Sequence, residues 1–180
     1  MRSILPIFVL LAIAAARAAI VECGCDPTRP ETLELRQCAL CREAEKQAPD
    51  VHVFFVKDAS PRKPNRWLAM PRAHTIGYHP LHDMPAKDRA ELWAAAIAKA
   101  TELWGDEWGL AYNGEEVRSQ CHAHIHIGKL LKGVERENFV TVTKPSQIPA
   151  APGEGIWVHP VGKKLHVHTG EQICETVLMR

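Results

Sequence analysis

Ten histidines occur in this 180-residue chain, and three of them alternate in Cys121-His122-Ala123-His124-Ile125-His126-Ile127. In an extended strand, residues i, i+2 and i+4 share a face. The spacing therefore predicts His122, His124 and His126 side by side, with Cys121, Ala123, Ile125 and Ile127 packed into the core behind them. A thiol at Cys121 would then act as a small apolar residue. Three rings of one titratable type disfavour each other's protonation, and a neutral central imidazole is what a nucleophile requires. Three histidines alone point to phosphate or metal. Ser119 and Gln120 beside them are neutral polar groups that metal storage does not need. Arg118 offers a charge to a phosphate, and reads equally as a solvated loop residue.

The elements that must carry these groups are legible from periodicity. Residues 51–56 and 66–70 read as two strands around a proline-containing loop over 59–65, and Pro71 ends the second. A helix is expected over 85–104, with Pro85 in its first turn and Gly105 after its end. Leu92, Trp93, Ala96, Ile97, Ala100, Leu103 and Trp104 form its apolar face. Strands are expected over 109–112 and 120–127, and shorter ones over 139–142, 156–159, 164–168 and 173–179. A further helix is expected from 30 or 31 to 46. These elements divide the chain into a leader over 1–18, a cysteine-containing helical segment over 19–50, a core over 51–130 and a β-rich extension over 131–180.

Length favours one core. A formal net charge of +1, without a basic run, makes no case for a nucleic-acid partner. Arg2 precedes an apolar run from Ile4 to Ala16, and Ala16-Arg17-Ala18 resembles a processing site. The run is short for ~30 Å of hydrocarbon, so export to a periplasmic or secreted location is expected, with an uncleaved anchor as the alternative. In that compartment Cys23, Cys25, Cys38, Cys41 and Cys174 are disulfide candidates, an odd number. Cys38 and Cys41 also have zinc-ligand spacing. A cytochrome attachment is excluded because Arg42, not histidine, follows Cys41. His166 and His168 alternate too, and without a flanking signature they read as surface residues.

With its flanks, the histidine stretch resembles the signature of the histidine-triad superfamily: His-x-His-x-His followed by apolar residues, after a strand ending in a polar residue, here Asn113. Met70-Pro71-Arg72-Ala73-His74 is similar to that family's apolar-Pro-Lys/Arg-x-His element, and the strand order over 51–129 agrees. Bacterial CDP-diacylglycerol pyrophosphatases are the branch it most resembles. The residues are Ala111-x-Asn113, Arg118-Ser119-Gln120, Phe55-Val56-Lys57-Asp58, and Cys174-Glu175 ahead of an apolar pair and Arg180.

The resemblance implies an α+β fold, a histidine-triad-like antiparallel sheet with a packed helix, plus the small β-rich C-terminal extension. It implies a hydrolase that cleaves a nucleotide phosphoanhydride through a nucleotidyl-histidine, with CDP-diacylglycerol as the specific substrate. His124 would be the nucleophile, with His122 and His126 orienting it and contacting phosphate. Asn113, Arg118, Ser119 and Gln120 would bind the substrate. A transferase or hydrolase acting on soluble nucleotides uses the same residues, and an exported metal-binding protein without turnover is the non-enzyme alternative. The chemistry requires no cofactor. In several histidine-triad proteins a structural zinc is completed by positions equivalent to Cys38, Cys41, His74 and His122, against which disulfides compete. A nucleotide or nucleotide-lipid substrate, a nearby membrane and a homodimer are the implied partners.

Overall fold

The computed structural model describes residues 22–73, 76, 77 and 79–180. The leader expected over 1–18 and the expected ligand His74 lie outside the described residues. Helix α1 (Ala39–Glu45) is followed by strands β1 (Val53–Lys57) and β2 (Trp67–Pro71), then helix α2 (Ala86–Trp104). Strands β3 (Trp108–Tyr112), β4 (Ile125–Lys129), β5 (Val140–Val142), β6 (Gly155–Val161) and β7 (Lys164–Glu171) complete one seven-stranded antiparallel sheet. Its order is β1-β2-β4-β3-β6-β7-β5. The fold is α+β, and the strands beyond residue 131 extend the same sheet, with β6 pairing directly to β3.

Alternation sorts the side chains onto two faces. On one, Leu92, Trp93, Ala96 and Ala100 of α2 pack on Ala69, Leu110, Tyr112, Ile125, Ile127, Ile156 and Val158. Each large apolar side chain buried there contributes roughly 1.5–3 kcal/mol. The other face is covered in two places. Ala44 of α1 packs with Phe54, Leu68 and Met70 on the β1–β2 side. The C-terminal residues Cys174, Val177 and Leu178 pack on Ala111 and Trp157. Gly109 and Gly128 face each other beneath this tail. A Cβ at Gly128 would lie 3.2 Å from Leu178 Cβ, so the missing side chain is what lets the tail lie so close.

Three expectations are corrected. The helix over 30–46 is broken: 3-10 turns at Pro30–Glu34 and Arg36–Cys38 precede α1, and Leu35 between them is extended. A continuous helix would place Leu33 and Cys38 roughly 140° apart around its axis. The break lets both join one buried cluster with Cys25, Cys41 and Cys121. The segment over 173–179 is not a strand but a 3-10 turn, Cys174–Val177, followed by a lone bridge from Leu178 to Leu130. Finally, β4 starts at Ile125 rather than at residue 120. The backbone before it is taken up by the N-terminal segment, with Cys121 N–H donating to Gln37 O at 2.8 Å.

The cysteines follow from that docking. Cys121 is not a free apolar thiol: it is disulfide-bonded to Cys23, and Cys25 is bonded to Cys38. Counting Cys121 removes the odd number. Cys174 and Cys41 are free and buried, so neither expectation of a disulfide there holds. Two disulfides are compatible with an extracellular protein. Among the described residues no helix is long and apolar enough to cross a membrane.

Candidate active site

Between α1 and the C-terminal turn, on the sheet face opposite α2, lies a cleft of about 1300 Å³. His124, at the entry to β4, and His126 within it both line this cleft, as do Asn113, Arg118, Ser119 and Gln120. Their rings meet edge to face, with centroids 4.9 Å apart. His122 is not in that row. It sits in the bend before β4, fully buried, and its Nε2–H donates to Pro71 O at 2.8 Å. Strand alternation fails for it because the backbone there is not yet extended. Pro71 and Arg72 line a second cavity, of about 570 Å³, with His79 and Ala123. The buried His122 thus ties the strand of the nucleophile candidate to the end of β2.

The His124 ring is held in one tautomer. A carbonyl can only accept, so the 2.9 Å contact between His124 Nδ1 and His122 O assigns the ring proton to Nδ1. The other nitrogen, Nε2, then keeps its lone pair. Burial, and after it the Arg118 guanidinium, lower the His124 pKa to about 4. Burial and His124 push His126 well below the usual range. Both rings are neutral at pH 7.

Arg118 is 3% exposed and so is not a solvated loop residue. It donates to the Tyr112 hydroxyl and lies 4.8 Å over the Tyr112 ring. That hydroxyl also accepts from Leu81 N–H at 2.9 Å, fixing the tyrosine from the α2 side. Ser119 is exposed on the cleft wall, available to a ligand. Gln120 is engaged elsewhere: its Oε1 accepts from Leu40 N–H at 3.2 Å, and its Nε2 donates to Arg36 O at 2.9 Å. Its role here is to hold the start of α1 at the cleft rim. Asn113 Oδ1 accepts from Glu175 N–H at 3.0 Å, which positions the C-terminal turn.

Glu175 is the site residue that the sequence reading did not assign. Its carboxylate accepts from Lys63 and, at 2.8 Å, from Arg66 Nη1, and lies 3.8 Å from His126 Nδ1. Burial opposes its ionisation, but His126, Lys63 and Arg66 outweigh that and hold it at about 2. Arg66 also donates to Glu175 O, Leu178 O and Met179 O, so one buried guanidinium fastens the whole tail. The only hint in the sequence was Cys174-Glu175 itself; nothing local to Lys63 or Arg66 marks them as its partners.

The expected zinc set does not assemble as drawn. Cys38 is committed to Cys25, Cys41 is a separate buried thiol, and His122 is bonded to Pro71 O. The sulfurs brought together instead are those of Cys25, Cys38 and Cys121, all within 4.8 Å of one another. A metal ligand must be a thiolate, so these three could hold an ion only after both disulfides are reduced.

No protein-family description matches this chain. No curated protein matches it at a significant level. A solved structure of a DUF4931 family protein from Bacillus cereus is similar with a TM-score of 0.49 at 10% identity, over 69% of this chain and 84% of that one. That likeness is too slight to carry an argument about chemistry.

Proposed function

We propose that the chain is a hydrolase of the histidine-triad type, cleaving a nucleotide phosphoanhydride by way of a nucleotidyl-His124 intermediate. The observation that carries this reading is the state of His124: neutral, its proton held on Nδ1 by His122 O, and its ring on the wall of the large cleft. Nε2 attacks phosphorus in line, the N–P bond forms as the P–O bond to the leaving phosphate breaks, and water then cleaves N–P. Phosphoryl chemistry asks for positioning and charge more than for a strong base. Arg118 provides the charge, Ser119 a neutral donor, and His126 with Glu175 a second polar wall. No step needs a metal.

The specific substrate we assign is CDP-diacylglycerol, reached by a protein exported to the membrane surface. A soluble nucleotide, or transfer to an acceptor other than water, would use the same groups. The test offers CDP-diacylglycerol, dinucleotides and nucleotide phosphoramidates to wild type and His124→Asn. Turnover by wild type, with a loss of at least ~10³-fold in the variant and an unchanged circular dichroism spectrum, is expected. Retained turnover in His124→Asn would sink the nucleophile assignment. The second reading, an exported metal-binding protein with structural zinc on reduced Cys25, Cys38 and Cys121, is favoured by their closeness. It predicts zinc uptake at these cysteines only after reductant, lost when they are replaced by serine.

A further inference from the structure

A second group of titratable side chains lies away from the cleft, on β6, β7 and the segment before β5. The β6–β7 register sets His159 opposite His166 and Trp157 opposite His168, so alternation gathers four rings on one face. Glu135 reaches over them. Its Oε2 is 2.9 Å from His159 Nε2, its Oε1 is 2.8 Å from His166 Nδ1, and the same Oε1 is 3.8 Å from His168 Nε2.

The rings are held in place by stacking. Phe139 lies on His166 with centroids 3.8 Å apart and planes 12° from parallel, and Trp157 lies on His168 at 3.5 Å and 1°. His159 and His168 are buried, at 4% and 2% exposure. The Glu135 side chain is 46% exposed, which leaves one side of the group open to solvent.

We propose that Glu135, His159 and His166 form a second site, binding a divalent transition metal of the zinc class. Two imidazoles and one carboxylate are a donor set suited to Zn²⁺ and its neighbours rather than to Ca²⁺ or Mg²⁺. The donor atoms of all three lie within 4.8 Å of one another. Ligands at ~2.0–2.1 Å from tetrahedral zinc stand about 3.3 Å apart, so on binding the two carboxylate–imidazole contacts, now 2.9 and 2.8 Å, would each lengthen by a few tenths of an ångström. His168, stacked on Trp157, borders the site, and the exposed side of Glu135 leaves a position for water. The site lies two to three strands along the sheet from β4 and does not depend on the reading of the cleft.

The test is calorimetric titration of the purified, oxidised full chain with ZnCl2, beside Glu135→Gln, His166→Ala and His124→Ala. Both substituted ligands are at least partly exposed, so these chains should fold, and circular dichroism checks that. Wild type and His124→Ala should each bind one equivalent that Glu135→Gln and His166→Ala bind at least ten-fold more weakly. Co²⁺ in place of Zn²⁺ should give visible absorption bands that those two variants lose. Uptake unchanged in Glu135→Gln and His166→Ala, or no uptake by wild type, would overturn the proposal.

Discussion

At the scale of single residues, the His124 ring proton organises the candidate chemistry. His122 contributes through its backbone carbonyl, so His122→Ala should retain that hydrogen bond and act instead through the lost contact to Pro71 O. The lowered pKa of His124 has a signed consequence. In the proposed mechanism attack needs the neutral ring, so kcat/KM should hold down to pH 5 and fall as pH drops through about 4. A histidine at its ordinary value would lose activity near 6.5. A pH–rate profile with an acid limb near 6.5 would contradict the burial of this ring. Stability follows the same direction. The unfolded chain binds protons at His124 that the folded chain refuses between about pH 6.5 and 4, so unfolding free energy should decline as pH falls through that window. Glu175, held at about 2, extends the decline to lower pH, between its ordinary 4.5 and about 2.

The C-terminal turn is the element with the most to say about the cleft. It is not held by sheet pairing beyond one bridge, yet it delivers Glu175 to His126 and closes one wall. Arg66, 3% exposed, makes four hydrogen bonds to this tail. Glu175→Gln would deprive a buried guanidinium of its hydrogen-bonded carboxylate, a change that costs about 3–5 kcal/mol where a buried pair is broken. We expect a destabilisation of that order in urea unfolding, together with weakened turnover. Leu178→Ala, which opens a cavity over Gly109 and Gly128, should cost about 2–5 kcal/mol. If Leu178→Ala unfolds like wild type, the tail is not packed against the sheet as described.

Across the whole molecule, two disulfides act over very different spans, one joining the N-terminal segment to the sheet and one closing a loop within that segment. Cys23–Cys121 closes a separation of 98 residues, and Cys25–Cys38 one of 13. On the chain-entropy estimate the longer closure is worth ~4.7 kcal/mol and the shorter ~3 kcal/mol. Removing Cys23 and Cys121 together by serine should therefore lower Tm by roughly 10 °C or more for a chain of this size, and by more than removing Cys25 and Cys38 does. Equal Tm values for both pairs and wild type would mean that the disulfides do not form. The longer bridge also fixes the backbone just before His122, and its loss should impair the cleft as well as stability.

Much of this protein is settled by its sequence alone, because the relevant rules act between near neighbours. The apolar face of α2 follows from a 3.6-residue period, and the placement of His126 against Ile125 and Ile127 from strand alternation. His124 as the nucleophile candidate needed only its spacing and its flanking residues. What tertiary structure decided is the partner of each group. Alternation misassigned Cys121 and His122 because docking of residues 23–40 bends the backbone before β4, a contact no local pattern encodes. Gln120 became a tether for α1. Glu175 reached His126 from 49 positions away through Arg66. His159 and His166, unremarkable apart, met under Glu135 because β6 and β7 pair in one register. Periodicity determines which way a side chain faces; only packing of the whole chain determines what it meets there.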